Sequence, residues 1–386
     1  MTDYDIIVVG AGPIGSTYAY KMAKKGFNVA IFDLKNRIGQ PLQCAGLVST
    51  NICQTKNLPE EFIDNKVSGA ILYSPDKTNI TVQKEKDVAY VLDRVMYDKY
   101  LFSRAVTSGV QDFIGTRVLD VDIENTTIKT FEGKYSAKLI AVAVGPTSRT
   151  AKKMNPDLDE DTFMGVQYTI KTDNTNMNYV KLHIHEEVLP GFVWEIPTSP
   201  FTKRIGVFTD KSYQVADKVL KQHIKKDYKI IEKNNALIPK FNKNRKIVEN
   251  NVILLGDTAG QVKPTTGGGL ISGFNCAIIA SKYSEKMLQN NDNTYLKEYE
   301  KEFHNKYDNE FKTQQNVQNI IKDMTSDDFN YMFYQLKKYN VDKIISEHGD
   351  MDNQTPLLKQ LVKTGIIFKL VPKIGVRRLK NLWKSR

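Results

Sequence analysis

The sequence predicts an α/β fold: a nucleotide-binding domain opening at the N-terminus, an inserted antiparallel β-sheet domain and a helical C-terminal region. Three observations predict it. An apolar run, DIIVV at residues 5–9, stops at Gly10, Gly12 and Pro13. A second buried run, Asn251–Leu255, also ends at a glycine, Gly256, and a long helical pattern over Leu270–Leu288 follows three more. Between them, residues 163–210 alternate polar and apolar side chains as half-buried strands do.

Taken in order, residues 5–9 are a strand, Ile14–Lys25 a helix that stops at Gly26, and Asn28–Phe32 the next strand. Strand, glycine turn, helix and strand within about 30 residues make a βαβ unit. Short strands between turn residues fill Val67–Val91, and a helix spans Tyr97–Ser108. Val118–Ile123, Thr127–Phe131 and Leu139–Val144 read as strands, as do Gln167–Lys171 and Tyr179–His185. Val215–Glu232 reads as a helix, and residues 294–347 carry aromatic and charged positions at helical spacing. The expected division is a discontinuous nucleotide-binding domain (1–65, 92–150 and 248–290), a substrate-binding sheet domain (66–91 and 151–247) and a helical region (291–386).

The chain has 386 residues, 41% hydrophobic and 26% charged, as expected for two or three globular domains. No stretch approaches the ~18 apolar residues of a membrane span. Two acids precede the first apolar run, unlike a secretory signal, so the expectation is a cytoplasmic protein. Three cysteines, Cys44, Cys53 and Cys276, form no CxxC pair, which argues against a zinc finger or a dithiol redox motif. Of the net charge of +11, nine units lie beyond Asp352, where no acid occurs, leaving a body near +2. A nucleic-acid footprint over the whole molecule is therefore not expected.

The turn reads Gly10-Ala11-Gly12-Pro13-Ile14-Gly15. The first glycine makes a tight turn, the second admits a pyrophosphate, and the third lets helix and strand pack closely; this is the Rossmann-type fingerprint. The helix N-terminus then faces the phosphates with free N–H groups. Asp33, at the end of the second strand, is placed to accept hydrogen bonds from a ribose diol; otherwise it is a surface acid at a strand end. Only one such fingerprint occurs, and Gly256-Asp257 with TTGGG (Thr265–Gly269) stands more than 200 residues away. That pairing points to FAD, with a helix N-terminus under the flavin ring. Asp257 has a second reading as a plain helix cap.

Five segments in order carry a resemblance: GAGPIGS, RIGQPLQCAGLVS (Arg37–Ser49), LDRVMYDKYL (Leu92–Leu101), PGFVWEIP (Pro190–Pro197) and GDTAGQVKPTTGGGLISGF (Gly256–Phe274). The chain resembles the geranylgeranyl reductases, above all the archaeal digeranylgeranylglycerophospholipid reductases, well over residues 1 to about 290. The resemblance implies a glutathione-reductase/hydroxylase-like FAD domain and hydrogenation of isoprenoid C=C bonds in archaeal membrane-lipid precursors. It implies that Gly10, Gly12, Ile14 and Gly15 bind the pyrophosphate and Asp33 the adenosine ribose. Cys44, Ala45 and Gly46 would line the flavin side, Arg94 would reach the phosphate or ribityl region, and Val118 would touch the adenine. Asp257 would hold ribityl hydroxyls, with Gly269 and Leu270 under the isoalloxazine. Arg94 also has a plainer reading, an ion pair with Asp93 or Asp98, and Cys44 that of a small buried side chain. The chain departs from the pattern at Ala143-Val144-Gly145, where the family carries an Asp, and at Phe192 and Ile196, where it carries Tyr and Phe.

The chemistry needs an alkene held over the flavin in a dry tunnel, walled by Leu189, Phe192, Trp194 and Ile196 unless these are ordinary strand core. Cys44 is the one titratable side chain that the resemblance places at the flavin, and so the candidate catalytic group. His183 and His185 share a strand face, but no third ligand lies near them in the sequence, so no metal site is expected. With no second Rossmann unit, the expected electron donor is external, a ferredoxin or a deazaflavin. Two alternatives share the fold: an FAD-dependent monooxygenase, and an electron-transfer flavoprotein–quinone adaptor, for which the cysteines are too few to hold an iron–sulphur cluster. The tail Leu357–Arg386 interleaves apolar residues with nine basic ones, which suits peripheral contact with an anionic membrane or, equally, a helix pair packed on the protein.

Overall fold

The computed structural model describes residues 3–55, 58–159, 161–173, 175–225 and 228–370. Its first sheet runs in the order Val248–Glu249, Val252–Leu254, Lys134–Val142, Tyr4–Val9, Val29–Asp33, Gln111–Ile114, and every pair after the first is parallel. Ile6, Ile7, Val8, Ala30, Ile31, Leu139 and Ile140 are fully buried, because helices cover both faces of such a sheet. That explains why these strands read as continuous apolar runs. The helix Pro13–Ala23 starts with proline, whose missing N–H costs nothing in the first turn. It packs on Arg94–Thr107 and Leu270–Asn290, with a buried hydrogen bond of 2.7 Å from the Tyr18 hydroxyl to Ser284 Oγ.

The second sheet has seven strands, in the order Lys229–Pro239, Thr162–Lys171, Thr202–Thr209, Val193–Ser199, Tyr179–His183, Gly69–Tyr73, Asn79–Gln83. It is antiparallel except where Tyr179–His183 runs parallel to Gly69–Tyr73. The helix Tyr213–Gln222 lies on one face, burying Ala216, Val219 and Leu220 against Val166, Tyr168, Ile205 and Val207. A third sheet joins Leu47–Ser49, Ala89–Leu92 and Ile63–Val67. The expected domain boundaries at 65/66 and 91/92 fall inside its strands, so this small sheet bridges the two larger ones.

One expected element is wrong. The helical pattern read over Val215–Glu232 splits into a helix ending at Gln222 and the strand Lys229–Pro239. The segment KIIEKNNALIP pairs along almost the whole of Thr162–Lys171 as an edge strand, mostly exposed at its start. Local helix propensity is weak beside a long ladder of cross-strand pairs. The helix expected from Tyr97 begins earlier, at Arg94, where Asp93 caps it by accepting from the Met96 N–H at 3.0 Å.

The C-terminal region is helical: Thr294–Ile321, Ser326–Lys338, Val341–His348, Thr355–Lys363 and Ile367–Leu370. Thr325 and Asp328 form a reciprocal capping box at the second of these. The described part of the tail packs on the protein, burying Leu361 and Ile367 with Ile80, Phe333 and Val341. Most of the basic residues, from Lys373 onward, lie outside the described residues. No described helix is long and apolar enough to cross a membrane.

Candidate active site

A cavity of about 1180 Å³ extends from the glycine turn at residues 10–14 to the face of the seven-stranded sheet and the loop after Val341–His348. At its first end, Gly10 has φ +107°, and a Cβ there would lie 2.3 Å from the Ala143 carbonyl oxygen. A Cβ on Gly15 would lie 2.0 Å from the Gly10 carbonyl oxygen, so the helix sits hard against the turn. Gly12 differs: a Cβ there meets nothing within 4 Å, leaving open backbone at the helix N-terminus. Asp33 ties the turn to the second strand, accepting from the Ala11 N–H at 2.7 Å and the Lys35 N–H at 2.8 Å.

Arg94 is 9% exposed and lines the cavity, as Asp98 does. It donates from Nε and Nη2 to the two Asp98 oxygens, both at 3.0 Å. The plainer reading of Arg94 is thus present, but as a buried fork rather than a surface pair. Burial opposes its charge, yet Asp98, with Cys44 and Asp257 beyond it, holds the guanidinium above its ordinary range. Burial raises the Asp257 carboxyl and Arg94 pulls it back. Asp257 sits in the 3₁₀ turn Gly256–Ala259, which has no side-chain cap bond, and it faces the cavity, so a capping role does not explain it. Ile14, Val118, Gly269 and Leu270 also line the cavity.

Cys44 and Ala45 line the cavity and Gly46 does not. Gly46 has φ +78°, and a Cβ there would lie 2.4 Å from Arg204 Nη1. Its role is to let the buried Arg204 pass behind the loop. Arg204 Nη1 donates to the Ala45 carbonyl (3.0 Å) and the Leu92 carbonyl (3.1 Å), and Nη2 pairs with Asp64 at 3.2 Å.

At the far end, Phe192, Trp194 and Ile196 line the cavity, and Leu189 does not: it is 3% exposed and buried elsewhere. Trp194 lies across the neighbouring strand, where a Cβ on Gly206 would come within 2.2 Å of its ring. Its indole N–H donates to Gln167 Oε1 (3.3 Å), and Gln167 Nε2 donates to the Cys44 carbonyl (3.4 Å). One buried amide thus links the apolar wall to the Cys44 loop.

A family model described as an NAD(P)-binding Rossmann-like domain matches residues 8–45, and one described as tryptophan halogenase matches residues 54–315. The second puts the chain among the halogenase-like flavoproteins. A digeranylgeranylglycerophospholipid reductase of Methanosphaera stadtmanae is 30% identical over 99% of this chain and 97% of its own length. The chain belongs to the digeranylgeranylglycerophospholipid reductase family. Another such reductase, from Methanococcoides burtonii, is 29% identical over 87% of this chain and 89% of its own. A geranylgeranyl bacteriochlorophyll reductase-like protein of Thermoplasma acidophilum has the same fold, with a TM-score of 0.85 at 22% identity over 98% of this chain and 99% of its own.

As a member of this reductase family the protein is an FAD-binding flavoprotein, and its cavity fits that cofactor. Open backbone at Gly12, the Arg94 guanidinium and the cavity-facing Asp257 carboxyl are the groups a dinucleotide's phosphates and hydroxyls require.

Sequence reading missed Gln167, Arg204 and the pair Gln261–Tyr299. Gln261 accepts from the Gly256 N–H (2.8 Å) and donates to the Tyr299 hydroxyl (2.7 Å), which donates to the Leu254 carbonyl (2.9 Å) and so fixes the Asp257 turn. Gln167, Arg204 and Tyr299 lie in segments without a motif, and Gln261, inside the Gly256–Phe274 segment, carries no residue type that marks it as a support. The expectation of no third ligand near His183 also fails. Glu195 and His223, from other elements, bring their ligand atoms within 4.8 Å of it, while His185 instead meets Gln222 at 3.1 Å.

Proposed function

We propose that this protein hydrogenates the isoprenoid C=C bonds of digeranylgeranylglycerophospholipids, as the names of its reductase relatives state for them. The observation that carries the reading is one continuous cavity with a dinucleotide turn at one end and an apolar aromatic wall at the other. When bound and reduced, FAD supplies the reducing equivalents for the double bond. In this proposal the backbone at Gly10, Gly12, Ile14 and Gly15 holds the pyrophosphate, Asp33 the adenosine ribose and Val118 the adenine. Arg94 balances phosphate charge, Asp257 orients ribityl hydroxyls, and Gly269 and Leu270 lie beneath the ring. Phe192, Trp194 and Ile196 hold the isoprenoid chain and exclude water. Cys44 and Ala45 border the flavin, and the Cys44 thiol delivers the proton that completes saturation. Gly46 acts from behind, through Arg204. Electrons come from an external donor of the ferredoxin or deazaflavin kind, and the basic tail holds the protein at an anionic membrane face.

The test is anaerobic. Purified protein, its flavin reduced by dithionite, is incubated with digeranylgeranylglyceryl phosphate and the lipid is followed by mass spectrometry. Stepwise gain of hydrogen pairs supports the reading. An unchanged lipid with flavin bound and reduced overturns it in favour of the monooxygenase or the electron-carrier alternative. Truncation after Asp352 with undiminished binding to anionic liposomes rejects the membrane role of the tail.

A further inference from the structure

Glu195 lies between Trp194 and Ile196 on the strand Val193–Ser199. Both neighbours line the cavity, so strand alternation sends Glu195 to the opposite face of the sheet, where the helix Tyr213–Gln222 packs. His183 shares that face, since its neighbour Leu182 lines the cavity and pairs with Trp194. His223 caps the C-terminal end of the packed helix. Three neighbouring elements thus converge two imidazoles and one carboxylate behind the aromatic wall.

His183 Nε2 stands 3.0 Å from Glu195 Oε1, and the His183 and His223 ring centroids are 4.8 Å apart. His183 Nδ1 is buried without a hydrogen-bond partner. Lys203 Nζ holds the other carboxylate oxygen, Oε2, at 2.7 Å, which orients the group with Oε1 turned toward His183.

We propose that His183, Glu195 and His223 bind a zinc-like divalent ion on the sheet face opposite the cavity. Two nitrogens and one oxygen suit zinc better than magnesium or calcium, which prefer all-oxygen sets. The Lys203 charge works against any cation, so the imidazoles supply most of the affinity. Ligand atoms spread over 4.8 Å are wider apart than the roughly 3.4 Å expected around tetrahedral zinc with bonds of about 2.0–2.1 Å. Binding therefore draws His223 and its helix end toward the strands, with water as the fourth ligand. The ion has no redox part to play; it fastens the helix to the strands that carry Trp194.

The experiment uses full-length flavin-loaded protein, treated with chelator and then equilibrated by dialysis against zinc, with metal content and Tm measured. One zinc per chain and a zinc-dependent rise in Tm are expected. H223Q and E195Q each weaken binding by more than about tenfold and abolish the Tm rise. H304Q, which alters an unrelated His–Asp pair, changes neither. Equal zinc binding by wild type and H223Q, or none by either, overturns the site. Should a variant fail to fold, the wild type decides alone: a Tm rise with zinc but not magnesium supports the site, and no rise overturns it. None of these readouts depends on the lipid reaction.

Discussion

The two ends of the cavity are built in opposite ways. The dinucleotide end is made of backbone, with Gly10, Gly12 and Gly15 close together in the chain: Gly10 and Gly15 lie against main-chain carbonyls, and Gly12 is open. The end proposed for the lipid is made of side chains on strands brought together from Gln167 to Phe208, and the Trp194 ring fills the space left by Gly206. A backbone turn has little room to give, whereas a ring can swing. The first end should therefore fail abruptly and the second gradually.

The largest effect is expected where the first end holds a buried charge. Arg94→Met leaves Asp98 unpaired and should cost about 3–5 kcal/mol in chemical denaturation. The double change Arg94→Met with Asp98→Leu should recover most of that stability and still bind FAD weakly. Recovery of full FAD affinity would show that Arg94 serves the fold alone.

The same added methyl then compares the two ends directly. Gly15→Ala drives a Cβ into the Gly10 carbonyl and should yield protein purified without flavin, destabilised by about 1–3 kcal/mol. Gly206→Ala meets the Trp194 ring instead. It should keep its flavin spectrum and lose lipid turnover. Flavin loss in both variants would erase the distinction between the ends.

Trp194→Phe keeps an aromatic wall and removes the N–H bonded to Gln167, at a cost of about 0.5–1.5 kcal/mol in stability. Lipid turnover should fall more than FAD affinity, since the Gln167 link to the Cys44 loop is loosened. The smallest effect concerns Asp352, beside Lys263, Ser49 and Asn51. Burial opposes its charge, but Lys263 and the hydrogen bonds prevail and hold its carboxyl below the ordinary range. A depressed folded pKa means that the unfolded chain takes up the proton first. The stabilisation is therefore present above the ordinary value of 3.8 and lost as pH falls below it. Thermal melts of Asp352→Asn should show a shallower loss of stability through that acid window than wild type.

Legibility in the sequence follows the same division. The glycine turn, Asp33 and the Gly256-Asp257 turn were readable because a phosphate-binding turn needs fixed residue types at fixed local spacing. The parallel strands were readable because burial on both faces leaves unbroken apolar runs such as Ile6–Val9. Phe192, Trp194 and Ile196 were readable as a wall only through the family segment that contains them, and Leu189, from the same segment, turned out to be buried away from the cavity.

By itself the sequence determined the class of fold, the dinucleotide turn and the central strands of the first sheet near residues 5–9, 28–32, 139–142 and 252–254, but not its edge strand Gln111–Ile114, since the former show as buried apolar runs and the latter is half exposed. Only the tertiary structure decided that Lys229–Pro239 is a strand, because its partner Thr162–Lys171 lies some 60 residues earlier. It also decided that Arg204 underlies Gly46, that Gln167 joins Trp194 to the Cys44 loop, and that Glu195 and His223 meet His183. Each of those contacts joins different elements of the fold. Its energy is realised only when the sheet has closed, and no local pattern in the residues records it.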